Sequence, residues 1–202
     1  MDMATAFDEV ARITSSAVSV TDGMHALIDF VTQEKPGHKW SELRSLDYQA
    51  DSLIVRDWLK SVLTKEPPSA KVKAYWFGIF NPIVNDEASC GFYLMGSTEY
   101  TPDDFDWACW DDDSYLPKMR YAPSQVLPVI YRTVMSDEDE ESLGEYTLCL
   151  GYVALVVAEM ARSLKPELFL GKANKRVVAV GYDEGDGIVL GVFNKAGWEP
   201  AV

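Results

Sequence analysis

Lys71-Val72-Lys73-Ala74-Tyr75-Trp76-Phe77-Gly78-Ile79-Phe80 begins as an alternation of charged and apolar residues and turns into a dense aromatic and β-branched run. Residues of these types fit a pleated, packed surface, so the stretch predicts a strand in the centre of a sheet. Asn81-Pro82 ends it. After the polar Asn85-Asp86-Glu87, residues Cys90 to Gly96 read as a second strand, paired antiparallel with the first across a longer loop.

The same pattern returns near the C-terminus. Arg176-Val177-Val178-Ala179-Val180-Gly181-Tyr182 and Ile188-Val189-Leu190-Gly191-Val192-Phe193 flank Asp183-Glu184-Gly185-Asp186-Gly187. Glycine and aspartate there supply turn chemistry, so a second hairpin is expected.

Outside these strands the period is helical. Phe7, Val10, Ala11 and Ile13 lie on one face of a helix over residues 5 to 13. A second helix carries Met24, Leu27, Ile28 and Val31, with Thr21 or Asp22 as its cap, and ends at Pro36-Gly37. A third runs from about Asp51 to Lys65, where Pro67-Pro68 stops it. Thr101-Pro102-Asp103-Asp104 reads as the start of a helix of one or two turns. Another helix is expected near Ser124 to Met135, with Pro128 in its first turn. A long buried one should span roughly Glu138 to Leu164, with Pro166 beyond its end.

Strands in two pairs, separated by helices without regular βαβ alternation, predict an α+β fold. The expectation is an antiparallel sheet of at least four strands, two hairpins, covered by helices. One domain spans residues 1–202, with a helical third over about 1–68. The predicted core includes Trp76, Ile79, Phe92, Leu94, Val153, Leu155, Val156, Val178, Val180, Leu190 and Val192.

Composition narrows the function classes. The chain has 202 residues, 48% hydrophobic and 25% charged, with 32 acids against 18 bases and a net charge of -14. A nucleic-acid binder held by phosphate contacts needs the opposite balance, and an anionic membrane surface would repel this chain. The N-terminus lacks the basic region and apolar run of a secretory signal. The longest nearly apolar stretch, Tyr146 to Ala158, falls short of the roughly 20 residues that span a bilayer. Cys90, Cys109 and Cys149 are odd in number and form no C-x-x-C, which argues against a disulfide framework or structural zinc. A cytoplasmic location fits all of this.

Catalytic motifs are not found. His25 and His38 are the two histidines, and neither lies beside a Gly-x-Ser-x-Gly elbow or a poised cysteine. No phosphate-cradling glycine loop occurs. Asp111-Asp112-Asp113 and Asp183-Glu184-Gly185-Asp186-Gly187 carry the oxygen ligands that hard cations take, without the alternating acids and distal Glu of a calcium loop. They read more simply as a solvated loop and a hairpin turn. No catalytic residue, cofactor or metal is therefore assigned.

The segment Glu99 to Glu145 stands apart. It holds 13 acids and 3 bases, a balance of −10 within a chain of -14. Tyr100, Phe105, Trp107, Trp110, Tyr115 and Tyr121 are interleaved with them. In one reading the aromatics anchor a long loop while the acids solvate it, and Asp137 to Glu141 meet the positive end of a helix dipole. In the other, the acids form a field that captures a basic partner and exposed aromatics supply contact area.

Phe105-Asp106-Trp107-Ala108-Cys109-Trp110, then Tyr115-Leu116-Pro117, and later Val180-Gly181-Tyr182-Asp183-Glu184-Gly185-Asp186, resemble uncharacterised small acidic bacterial proteins. Some of those are placed among the immunity proteins of polymorphic toxin systems. The resemblance covers roughly residues 70 to 195, on loose motifs that name no cognate toxin. It implies a protein that is not an enzyme. Many such toxins are nucleases with basic clefts, where an acidic inhibitor can take the place of the phosphate backbone.

The expected function is thus a cytoplasmic binding protein, an immunity protein that neutralises a bacterial toxin by blocking a basic site. Its contact residues are Asp103, Asp104, Asp106, Trp107, Trp110, Asp111, Asp112, Asp113 and Tyr115. The partner is a basic protein; nucleic acid and membrane are not partners, and the oligomeric state is open. The alternatives are a metal- or carboxylate-dependent hydrolase built on Asp111–Asp113 or Asp183–Asp186, and a self-associating adaptor.

Overall fold

The computed structural model describes residues 3–36, 39–102, 104–136, 141–183 and 185–201. Helices α1 (Met3–Ser15) and α2 (Val20–Glu34) come first, then a 3₁₀ helix over Lys39–Ser45 and α3 (Tyr48–Lys65). Strand β1 (Ala74–Phe80) is followed by the short pair β2 (Ile83–Val84) and β3 (Glu87–Ala88), and by β4 (Gly91–Ser97). After a 3₁₀ turn at Asp106–Ala108 come α4 (Leu127–Val134), α5 (Glu141–Gly144), a π-helical turn at Glu145–Cys149, α6 (Leu150–Ser163) and α7 (Pro166–Leu170). Strands β5 (Lys175–Tyr182), β6 (Gly187–Asn194) and β7 (Gly197–Pro200) close the chain.

The class is α+β, and both expected hairpins form, β1 with β4 and β5 with β6. The sheet is mixed, however. Its order is β4-β1-β5-β6-β7, and the central pair β1 and β5 is parallel, with Trp76 opposite Ala179. The two hairpins therefore join side by side with their first strands running the same way. The helical segment from α4 to α7 carries the chain back to the end of the sheet where β1 begins, as a parallel pair requires.

Alternation assigns the two faces. Tyr75, Phe77, Ile79, Phe92, Leu94, Val178 and Val180 point inward to the helical layer, where α6 packs on β1 and β5 and against α1, α2 and α3. Ala74, Trp76, Met95, Val177 and Ala179 point to the opposite face. There they are covered by the segment that follows β4 rather than by helices. The expected core residue Val192 is only half-buried and lies on this second face. A bulge in β6 shifts the register between Val178 and Ala179, so the inward alternation of Ile188 and Leu190 passes to Phe193.

Local signals are corrected at several ends. Ser19 caps α2, its hydroxyl accepting from the Asp22 N–H at 3.1 Å, in place of Thr21 or Asp22. Asp47 caps α3 and moves its start to Tyr48, while Asp51 is buried. Thr101-Pro102 opens no helix among the described residues. Phe105 and Trp107 both pack on Trp76, and residues two apart cannot share one face of a regular helix. The expected long helix is interrupted at Glu145–Cys149. The Glu145 carbonyl accepts from the Leu150 N–H, five residues on, and also from the Tyr182 hydroxyl at 2.8 Å. Pro166 begins α7. Asp137 to Glu140, proposed for the start of the long helix, lie outside the described residues.

Buried polar groups tie the layers together. Asp51, 3% exposed, accepts from Ser124 Oγ at 2.6 Å, from the Gln125 N–H at 2.7 Å and from the Tyr152 hydroxyl. It thereby fixes α3 to α6 and to the approach to α4. Arg176 is fully buried and donates to the carbonyls of Phe169 and Ser69 and to the Tyr75 hydroxyl.

Candidate functional site

The outer face of the sheet carries a cleft whose floor is made by two rings lying on glycines. Gly78 in β1 has no side chain, and Tyr93 of β4 uses that gap. A Cβ on Gly78 would stand 2.5 Å from Tyr93 Cζ. Tyr93 thus crosses β1 and donates to Asp183 Oδ1, at the end of β5, at 2.7 Å. Trp76 lies in the same way over Gly181 and Gly187, where a Cβ at either would strike its six-membered ring. Glycine inside a strand marks such close approaches.

The walls come from the covering segment. Phe105 and Trp107 stand against Trp76 with ring centroids 5.5 and 5.8 Å away, and Tyr100 packs on Trp107 at 5.4 Å. On the opposite side residues 115–122 run along the outer edge of β4. The N–H groups of Leu94 and Gly96 donate to the Arg120 and Tyr115 carbonyls, and Ala122 N–H to that of Phe92, each at 2.9 Å. The free edge of the sheet is covered in this way, as sheet edges commonly are. The pairing also sets Tyr121 against Phe80 and Tyr93, at 5.3 and 6.2 Å. The space enclosed is about 480 Å³. Trp110, 71% exposed, lines it from the covering segment.

Among the described residues two charged side chains line this cleft, Arg120 and Asp183. The Arg120 guanidinium lies 4.8 Å from the Tyr121 ring centre. Burial first, and then the bond to Asp183, holds the Tyr93 phenol protonated above the ordinary range.

The residues expected to meet a partner divide into groups. Asp104, Asp106, Asp111, Asp112 and Asp113 are exposed, and none is paired with a base among the described residues. Two of them shape the loop. Asp104 Oδ1 accepts from the Asp106 N–H at 3.1 Å. Asp111 Oδ1 accepts from the Asp113 N–H and from Ser114 Oγ, both at 3.0 Å. Trp110 faces solvent, whereas Trp107 is 5% exposed and belongs to the layer under the loop. Tyr115 is half-buried, and its hydroxyl donates to the Glu66 carbonyl at 2.6 Å. Asp103 lies outside the described residues. Phe80, Tyr93 and Arg120 were not singled out from sequence as site residues, and Tyr121 was noted only among the aromatics of the acidic segment. The sequence signal available for Tyr93 is Gly78, a glycine within a strand.

The other chemical candidates separate in space. His25 Nε2 lies 3.3 Å from the Arg44 carbonyl oxygen; His38 is outside the described residues. Asp183 is engaged by Tyr93, and Asp186 accepts from the Tyr146 hydroxyl at 3.3 Å; Glu184 is not described. Among the described residues no three of His, Cys, Asp and Glu come together to hold a metal ion. Cys90 and Cys149, far apart in sequence, meet in the core. Burial and then Cys90 push the Cys149 thiol up, which keeps it protonated and unreactive. Among the described residues no helix is long and apolar enough to cross a membrane. No family model matches the chain, and neither a curated protein nor a solved structure matches it.

Proposed function

We propose that this chain is a binding protein that captures a basic protein partner without turnover, most concretely a cytoplasmic immunity protein that blocks the basic site of a bacterial toxin. The observation that carries the reading is Trp110. It is 71% exposed, it is followed directly by the exposed Asp111, Asp112 and Asp113, and it opens onto an aromatic cleft. An exposed tryptophan beside unpaired carboxylates combines an interface anchor with a field that steers a cationic surface toward it. The neighbours Phe105, half-buried, and Trp107, buried, hold the loop in place, so the anchor is presented from a packed base.

Kinetics on the co-purified native partner test the proposal. Asp112→Asn with Asp113→Asn spares the loop-shaping Asp111. It should slow association several-fold at low salt, a difference that vanishes near 1 M, where the screening length is about 3 Å. Trp110→Ala should speed dissociation at every salt concentration. A partner indifferent to both changes places the interface elsewhere and sinks the proposal.

A further inference from the structure

We infer that the cleft behind Trp110 is a binding site for a planar aromatic anion. The floor sets the shape. Tyr93 over Gly78 and Trp76 over Gly181 form an aromatic base, and the cleft volume of about 480 Å³ lies in the range of small-molecule sites. A fused-ring ligand stacks on such a base.

The charge comes from Arg120. Arg120 lines the cleft, and its guanidinium, set against Tyr121, has no carboxylate partner among the described residues. Its bonds to the Pro117 carbonyl and the Tyr121 hydroxyl are long, 3.5 and 3.4 Å. An arginine stays charged at any ordinary pH and presents a planar fork that matches an oxyanion. The acid at the far end, Asp183, already accepts from Tyr93. Asp183 keeps its negative charge but is engaged by the Tyr93 hydroxyl, so the cationic fork of Arg120 is the charged group among the described residues left to pair with a ligand, in a chain whose net charge is -14. That net field does not reverse the preference. Exposed charges are screened beyond about 8 Å at physiological salt, whereas the guanidinium touches the ligand. An organic cation would find the Tyr121 face already occupied by Arg120.

This inference rests on the floor and Arg120, not on the exposed carboxylates, so it can fail while the proposed function stands. The probes are 2-naphthoate and 2-naphthylmethylammonium, followed by tryptophan fluorescence and by the indole N–H signals in NMR. Naphthoate should bind saturably and at least about tenfold tighter than the cation, the size of one charge-assisted hydrogen bond. Arg120→Gln should abolish that preference and Arg120→Lys should keep part of it. Among the described residues the Arg120 side chain makes the two long bonds and the contact with the Tyr121 ring, while its sheet-edge bond comes from the backbone, so both variants should fold. Gly78→Ala should weaken both probes by forcing Tyr93 off the floor. The inference is overturned if the cation binds as tightly as naphthoate, if Arg120→Gln leaves naphthoate affinity unchanged, or if neither probe saturates by about 1 mM.

Discussion

Trp76→Ala should remove the centre of the outer layer while leaving the helical core in place. The side chain is 1% exposed, lies over Gly181 and Gly187, and meets Phe105 and Trp107. An aromatic of this kind takes about 150–250 Å² out of water. At about 25 cal/mol per Å² that is about 4–6 kcal/mol. Alanine retains part of it, which brings the expected cost to the range of about 3–5 kcal/mol for deleting a large core aromatic. In a chain of this length each kcal/mol lowers the midpoint by about 2–4 °C, so thermal unfolding should move down by about 6–20 °C. Calorimetry and urea titration measure the global loss. Hydrogen exchange locates it. The Ala108 and Cys109 amides, bonded to the Phe105 and Asp106 carbonyls, should lose protection, and α6 amides should stay slow until global unfolding. A loss below about 1 kcal/mol, or equal loss of protection in α6, would refute the claim that Trp76 carries the second layer.

Two further outcomes follow from the buried polar groups. Asp51→Ala strands the Tyr152 hydroxyl and the Gln125 N–H in the interior and should cost about 3 kcal/mol or more by urea unfolding; a near-neutral variant would show that α3 and α6 do not depend on this hub. Burial first of all holds the Tyr75, Tyr93 and Tyr152 phenols protonated above the free value of about 10, so above that pH the unfolded chain releases protons first and stability falls as pH rises. Absorbance at alkaline pH should show these phenols ionising together with loss of the fold, and smooth ionisation of all 10 tyrosines with the fold intact would contradict it.

Much of the fold was legible locally. Period-2 and period-3.6 patterns placed the four longest strands and most helices, though not β2, β3 or β7, because each pattern reflects which side of one element is buried. The run from Ala74 to Phe80 read as central, and six of its seven residues are buried, with Phe80 half-buried at the end. The segment Glu99 to Glu145 also stood out by charge. It could not be divided by charge alone. Trp107 and Trp110 are close in sequence, and the Trp76, Tyr100 and Phe105 rings around Trp107 are what make it buried.

Sequence by itself determined the element types, the two hairpins and the excess of acid, since these depend on neighbours within a few residues or one turn. The tertiary structure decided the rest. Alternation states which residues share a face but not which strand lies alongside or in which direction. The parallel pairing of β1 with β5 therefore emerged only with the helices that return the chain. Charged residues read as surface until a distant partner appears, and so Asp51 and Arg176 were invisible as interior groups. The cleft needed four segments at once: Gly78 to make room, Tyr93 to cross it, Asp183 to receive the hydroxyl, and Arg120 brought in along the edge of β4. No local pattern encodes that meeting, because each contact joins residues whose separation along the chain says nothing about their distance in space.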